Sequence, residues 1–229
     1  MYSEWDKYQL ENKYKVVTND AFKEEDIVYV GGLDISFNDV EHKGVAVLTI
    51  LDYKTKETVY SNHLECFVDI PYVSGYLGFR EVPAYKELLE KAKDSPFYPQ
   101  IVLVDGCGIM HQREFGSASQ LGVECDVPTI GISKTLLCID GLNEIEVSCR
   151  FDAICKKKGD SVDIIGHSGK IWGASLKATD EARNPIYVSI GHKICLDTAK
   201  RVVANICRYR MPEPIRLSDI QSRNLLNIY

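Results

Sequence analysis

No stretch of about 20 apolar residues occurs in the 229-residue chain, so no membrane-spanning helix is expected. The first residues, MYSEWDKYQLENKYK, are polar and charged and do not read as a secretory leader. None of the eight cysteines stands in a CxxC pair or at zinc-finger spacing, which argues against a redox dithiol or a zinc ribbon. Several lie in apolar runs (Cys138, Cys195, Cys207), so reduced, buried thiols in the cytoplasm or nucleus are expected. There is no G-x-S-x-G elbow and no GxxxxGK[ST] loop, so neither a serine hydrolase nor a P-loop competes for the chemistry. Internal repeats, low-complexity tracts and Gly/Ser linkers are also missing, and one domain over 1–229 is expected. The chain is not basic either: its net charge of −6 weighs against non-specific wrapping of nucleic acid. It does not exclude a nucleic-acid enzyme, because a compact acidic cluster recovers attraction by holding a divalent cation.

What is there is a clear alternation of strand and helix patterns. Residues 1–20 read as a helix, with Trp5 and Tyr8 three apart and Leu10 and Tyr14 four apart. Three β-rich runs follow at 27–37, 43–53 and 58–69, joined by connections so short that they imply an antiparallel meander. Residues 81–94 form an apolar helical stripe of Val82, Tyr85, Leu88, Leu89 and Ala92, with Pro83 placed in the expected first turn. QIVLVDG (100–106) and VPTIGIS (127–133) are buried strands on either side of a short helix at 117–126. A polar, hairpin-like region runs to about 180, followed by a strand at 186–194 and a helix at 196–209. Continuous apolar strands alternating with helices imply a parallel portion covered on both faces. The order predicts an α/β ribonuclease H-like fold with a mixed five-stranded central sheet, in which the first and fourth strands are neighbours. Asp34 on the first and Asp105 at the end of the fourth then lie side by side.

Each acidic residue taken alone has a structural reading. Glu81 favours a helix dipole, and Asp105 before Gly106 caps a turn. Asp34 is harder to explain this way, because Asp is depleted in strands and rarely buried without a partner. Two carboxylates about 4 Å apart repel by about 4 kcal/mol at an effective dielectric of 20, unless a proton or a cation is shared. Hard oxygen donors around such a pocket suit Mg²⁺ or Mn²⁺, which activate water and stabilise a leaving oxygen.

Four segments carry a family resemblance: GGLDISF, PYVSGYLGFREVP, LVDGCGIMHQREFGSASQLGVECDVPTIGISK, and YVSIGHKICLDTAKRV with CRYRMPEPIRLSD. The chain resembles endonuclease V, and is similar to its animal form. The resemblance implies a Mg²⁺-dependent nuclease, with Mn²⁺ as a substitute. Its implied substrate is inosine in single-stranded RNA or DNA, cut at the second phosphodiester 3′ to the lesion to leave 3′-OH and 5′-phosphate. It also implies Asp34, Glu81 and Asp105 as catalytic metal ligands and His192 as the active-site histidine. Pro71, Tyr72 and Val73 would form a strand-separating wedge, and Gly106, His111, Arg113 and Lys134 would meet nucleic acid. Cys107, Gln112, Gln120 and Ile190 depart from the commoner family pattern without touching an expected ligand.

The residues also have plainer readings. PYVSG is also a Pro-Gly turn, and Lys134 also a lysine snorkelling at a strand end. His111 and Arg113 touch phosphate or only solvate their loop. Asp197 assists the site or only starts a helix. Arg201, Arg208, Arg210 and Arg216 read as a nucleic-acid stripe or as surface and helix-end residues, and Lys156–Lys158 as a solvated face. A monomer is expected. Two rival classes remain. An actin-like phosphotransferase needs a duplicated domain that this length does not supply, and a non-catalytic inosine-binding module would keep inert carboxylates.

Overall fold

The computed structural model describes residues 2–226. Strands β1 (Tyr29–Asn38), β2 (Lys43–Asp52) and β3 (Thr58–Phe67) form the expected antiparallel meander. β1 then pairs in parallel with β4 (Ile101–Asp105), and β4 in parallel with β5 (Thr129–Ser133). β8 (Ile186–His192) lies antiparallel beside β5. The sheet does not stop at five strands. The region expected to be a polar hairpin contains β6 (Ser161–Ile165) and β7 (Ile171–Leu176), which extend it through β8 to eight strands in the order β3-β2-β1-β4-β5-β8-β7-β6.

Helices cover both faces because the central strands are apolar on both sides. On one face α2 (Leu77–Ala92) and α3 (Ser117–Cys125) pack Val82, Leu88, Leu89, Ala118 and Leu121 against Leu33, Leu48, Val102 and Val104. On the other, α5 (Leu196–Ile206) and α6 (Glu213–Leu226) pack Val202, Val203, Ile206 and Ile215 against Val30, Leu103, Ile130 and Val188. α1 (Tyr2–Asn12) is followed by a 3₁₀ turn at Lys13–Lys15, so the N-terminal helix stops well short of residue 20. α4 (Glu144–Ile154) was hidden in a polar stretch; its start is fixed by Asn143, whose side chain accepts from the N–H of Ile145 and Glu146. The described helices include none long and apolar enough to cross a membrane, and all eight cysteines are free thiols.

α2 begins at Leu77, four residues before the expected position, so Glu81 lies inside the helix and Pro83 is an interior residue. A helix-interior proline costs one backbone bond and a clash with the carbonyl four residues earlier. Val82, Tyr85, Leu88 and Leu89, all fully buried or nearly so, offset that cost.

Candidate active site

The β1–β4 pairing matches Gly32 with Leu103 and Leu33 with Val104. Continued by one residue, this register sets Asp34 beside Asp105. Strand alternation puts both on the α6 face, because Val30, Ile101 and Leu103 belong to that core while Leu33, Ile35, Val102 and Val104 belong to the other. Glu81 reaches the same place from α2, and all three line one cleft of about 580 Å³ together with Tyr72, Gly106 and Lys134.

Burial and mutual repulsion dominate the electrostatics. Asp34 is 7 % exposed, and its pKa is raised to about 7 by burial and then by the charges of Asp105 and Asp219. Glu81 is held well above the usual carboxylate range by burial, then by Asp105 and Asp34. Asp105 is raised by burial, against the opposing charges of Lys134 and Arg223. Asp34 accepts from Ser222 Oγ at 3.2 Å, whereas Glu81 Oε2 is buried without any hydrogen-bond partner. A buried carboxylate oxygen left unpaired beside two other carboxylates is a costly arrangement for a protein to keep.

The sequence reading did not single out Asp219, whose charge reaches the cluster. It lies on α6 and its charge acts on both Asp34 and Asp105. Its Oδ1 accepts from Arg223 Nε at 2.7 Å, one helical turn away. The available signal was Pro214 in a first helical turn opened by Glu213, followed by Ile215, Ser218 and Ser222 on one face, which marks a helix start.

The donor set fits a divalent cation. The oxygens are hard, and the orphaned Glu81 oxygen and the raised carboxylates are what a cation would relieve. Among the described residues no three acidic, His or Cys side chains are already closed around a common point. Mg²⁺ usually takes one or two carboxylates and retains several waters, so the open arrangement suits it.

Of the other expected residues, Tyr72, Gly106, His111 and Lys134 line the cleft, whereas His192 and Arg113 are not among its lining residues. His192 is not in the cleft. β8 pairs Thr129 with His192 and β4 pairs Asp105 with Ile132, so the two residues lie at opposite ends of β5. Their pairing positions on β5 are three residue steps apart, an offset of about 10 Å along the strand, and β5 itself lies between their two strands. His192 is buried, its Nδ1 accepts from the Val17 N–H at 3.2 Å, and its pKa is lowered mainly by burial. It anchors the segment after α1. His192→Ala is therefore expected to lower the melting temperature by about 3–6 °C while the single-turnover rate of the folded protein holds. A rate loss at unchanged melting temperature would return His192 to catalysis.

His111 and Arg113 are committed inside the protein. His111 Nδ1 accepts from the Arg113 N–H at 3.2 Å, which leaves Nε2–H to donate to Gly75 O at 3.1 Å. Burial, then the charge of Arg113, pushes this ring down to about 4, so it is neutral. Arg113 donates to Gly75 O at 2.8 Å and pairs with Asp6 at 3.0 Å. Gly106 adopts φ +151° and lines the cleft. Gly108 instead allows a close approach to the protein's own β8: a Cβ there would lie 1.9 Å from Ile190 O.

Tyr72 is 66 % exposed, with Pro71 exposed and Val73 half-buried, in the loop between β3 and α2. Lys134 is exposed just after β5, and its charge lowers both Asp34 and Asp105. The C-terminal arginines form no free stripe. Arg201 pairs with Glu24, Arg208 with Glu57 and Arg216 with Glu213, while Arg210 donates to Pro185 O and Lys134 O. Asp197 pairs with Lys200 in the first turn of α5, away from the cleft.

A mixed sheet whose central parallel pair carries acidic residues at its carboxyl end, with helices on both faces, defines a ribonuclease H-like protein. Residues 10–220 match the profile of the Endonuclease V family. Endonuclease V of Mus musculus is 42 % identical over 200 residues, covering 86 % of this chain, which spans 59 % of that relative's length. The catalytic domain of human Endonuclease V superposes with a TM-score of 0.94 at 36 % identity, over 99 % of this chain and 96 % of the other. Ciona intestinalis Endonuclease V, solved with a 24mer DNA containing an inosine followed by a ribo-adenosine, superposes at 0.94 with 34 % identity over 99 % and 98 %. This chain belongs to the endonuclease V family.

Proposed function

We propose that the protein is a Mg²⁺-dependent endonuclease acting on inosine-containing single strands. It hydrolyses the second phosphodiester 3′ to the inosine. The observation that carries this reading is the set of Asp34, Glu81 and Asp105 in one cleft, with pKa values raised by burial and mutual charge. An inert binding module would gain nothing from so costly a cluster. A divalent ion held by these carboxylates would supply Lewis acidity and a water of lowered pKa.

The chain's own residues do the rest. Asp34, Asp105 and Glu81 would present oxygens to that ion and orient the attacking water. That water adds to phosphorus, the P–O3′ bond breaks, and the leaving oxygen departs as the 3′-OH, with the phosphate retained on the 5′ side of the next nucleotide. Lys134, exposed at the cleft, offers a cation to a strand phosphate. Tyr72 fills the gap left by an unstacked inosine. The likeness to the animal enzymes favours RNA, and the DNA bound by the Ciona relative carries a ribonucleotide directly after the inosine.

Tyr72→Ala is expected to weaken binding of an inosine strand about tenfold, because base–aromatic stacking contributes ~1–3 kcal/mol, and to leave the melting temperature unchanged. Equal affinity in a folded variant would reduce Tyr72 to a turn residue. The reading as a whole is tested by mapping cleavage of end-labelled RNA and DNA strands that differ only in one inosine. Cuts one nucleotide beyond the inosine, present with Mg²⁺ and absent with EDTA, are expected. Binding without cleavage under both conditions would overturn it.

A further inference from the structure

The only buried side chains of α1 are two amides, Gln9 and Asn12, whereas a packed helix normally buries an apolar stripe. Gln9 is 1 % exposed and uses both ends of its amide. Its Nε2 donates to Gly75 O at 3.0 Å and to Phe115 O at 3.0 Å, and its Oε1 accepts from Arg113 Nε at 2.5 Å. These partners lie on two separate loops. Gly75, at φ +86°, follows Tyr72 in the wedge loop, and Phe115 directly precedes Gly116 at the end of the β4–α3 loop. Both loops line the cleft, and Gln9 lines it between them.

Gly75 O is the focus of this network. It accepts from Gln9, from His111 Nε2 at 3.1 Å and from Arg113 Nη2 at 2.8 Å, three donors on one carbonyl with two lone pairs. Arg113 is held in turn by Asp6 of α1, and its guanidinium lies 4.4 Å over the Tyr76 ring. The Tyr76 hydroxyl donates to Asp6 at 2.8 Å. A buried amide with every group bonded is a rigid connector, because each lost bond leaves an unsatisfied partner inside the protein. Gln9 also lies outside residues 10–220 that match the family profile.

From this geometry we infer that Gln9 is a positioning residue: it fixes the Tyr72 loop against the β4–α3 loop and sets the width of the slot that takes the inosine base. The inference rests on the inosine reading above. The rival role is simple docking of α1, which would affect stability without affecting discrimination between bases.

The test measures the affinity of matched inosine and adenosine single strands in EDTA, where no cut is expected, together with melting temperature. Gln9→Leu keeps the bulk and removes all three bonds. It is expected to weaken inosine binding about tenfold and leave adenosine binding unchanged, so the preference shrinks by that factor. Gln9→Glu keeps an acceptor for Arg113 but offers no donor to Gly75 or Phe115, and the same loss is expected. A lower melting temperature with an intact preference in Gln9→Leu would overturn the positioning role. Should Gln9→Leu not fold, Asp6→Ala carries the test. It removes the Arg113 pair and the Tyr76 contact at a half-exposed site, and about a threefold loss of preference is expected. An unchanged preference there overturns the role. A wild-type protein with no preference overturns the inosine reading and this role together, whereas a preference untouched in the variants removes this role alone.

Discussion

Asp34→Asn and Asp105→Asn, assayed separately with Mg²⁺, are each expected to lose cleavage by about 10²–10³-fold or more while still binding an inosine strand. Both carboxylates sit in the same cleft on adjacent strands, and a neutral amide at either position weakens the hold on a shared cation. The same substitution should stabilise the metal-free protein. Burial and then the charges of Asp105 and Asp219 raise the Asp34 pKa to about 7 in the folded chain, from the ordinary aspartate value of about 4. Between these values the folded protein binds more protons than the unfolded one, so unfolding free energy falls as pH rises from about 4 to about 7 and then levels off. Above that window the buried charge costs on the order of 2–4 kcal/mol. In EDTA near pH 8, Asp34→Asn is expected to melt at least about 5 °C above wild type, and the gap should narrow as pH falls and close near pH 4, or when Mg²⁺ is added. Near-normal turnover in either variant, or a lower melting temperature at high pH, would sink the assignment.

Asp219→Asn is expected to reduce single-turnover cleavage by about 10²-fold. Its charge acts on both Asp34 and Asp105, so it completes the negative field that a cation would neutralise. Arg223 holds one of its oxygens, and that side chain is 63 % exposed, so substitution should cost little stability. A variant that cuts at the wild-type rate would make Asp219 a surface ion-pair residue and confine the site to β1, β4 and α2.

Much of this fold was legible from apolar runs. β1, β2, β4, β5 and β8 are nearly continuous hydrophobic stretches bounded by turn residues, and each was placed within about two residues. The adjacency of Asp34 and Asp105 followed from strand order alone. The eighth, seventh and sixth strands in sequence fared unequally, because β6 and β7 are short and lie among Lys, Gly and Ser that read as turns. α6 was not assigned, although Pro214 in its first turn is compatible with a helix start. That omission removed Asp219 from the expected site. His192 was expected at the site from the family resemblance, at a strand exit where loops collect function. The antiparallel pairing of β8 with β5 turns that exit away from Asp105. His111 does line the cleft, but its bond and that of Arg113 to a backbone carbonyl 36 and 38 residues away are ones no local pattern encodes.

The central claim is that Asp34, Glu81 and Asp105 hold a divalent cation at the cleft. Calorimetric titration of Mn²⁺ into wild type and into the Asp34→Asn, Asp105→Asn double variant tests it most directly. Wild type is expected to bind the ion and release protons at about pH 7, since carboxylates raised by burial must ionise to ligate it, and the double variant is expected to show no binding. Equal Mn²⁺ affinity in the two proteins would contradict the account.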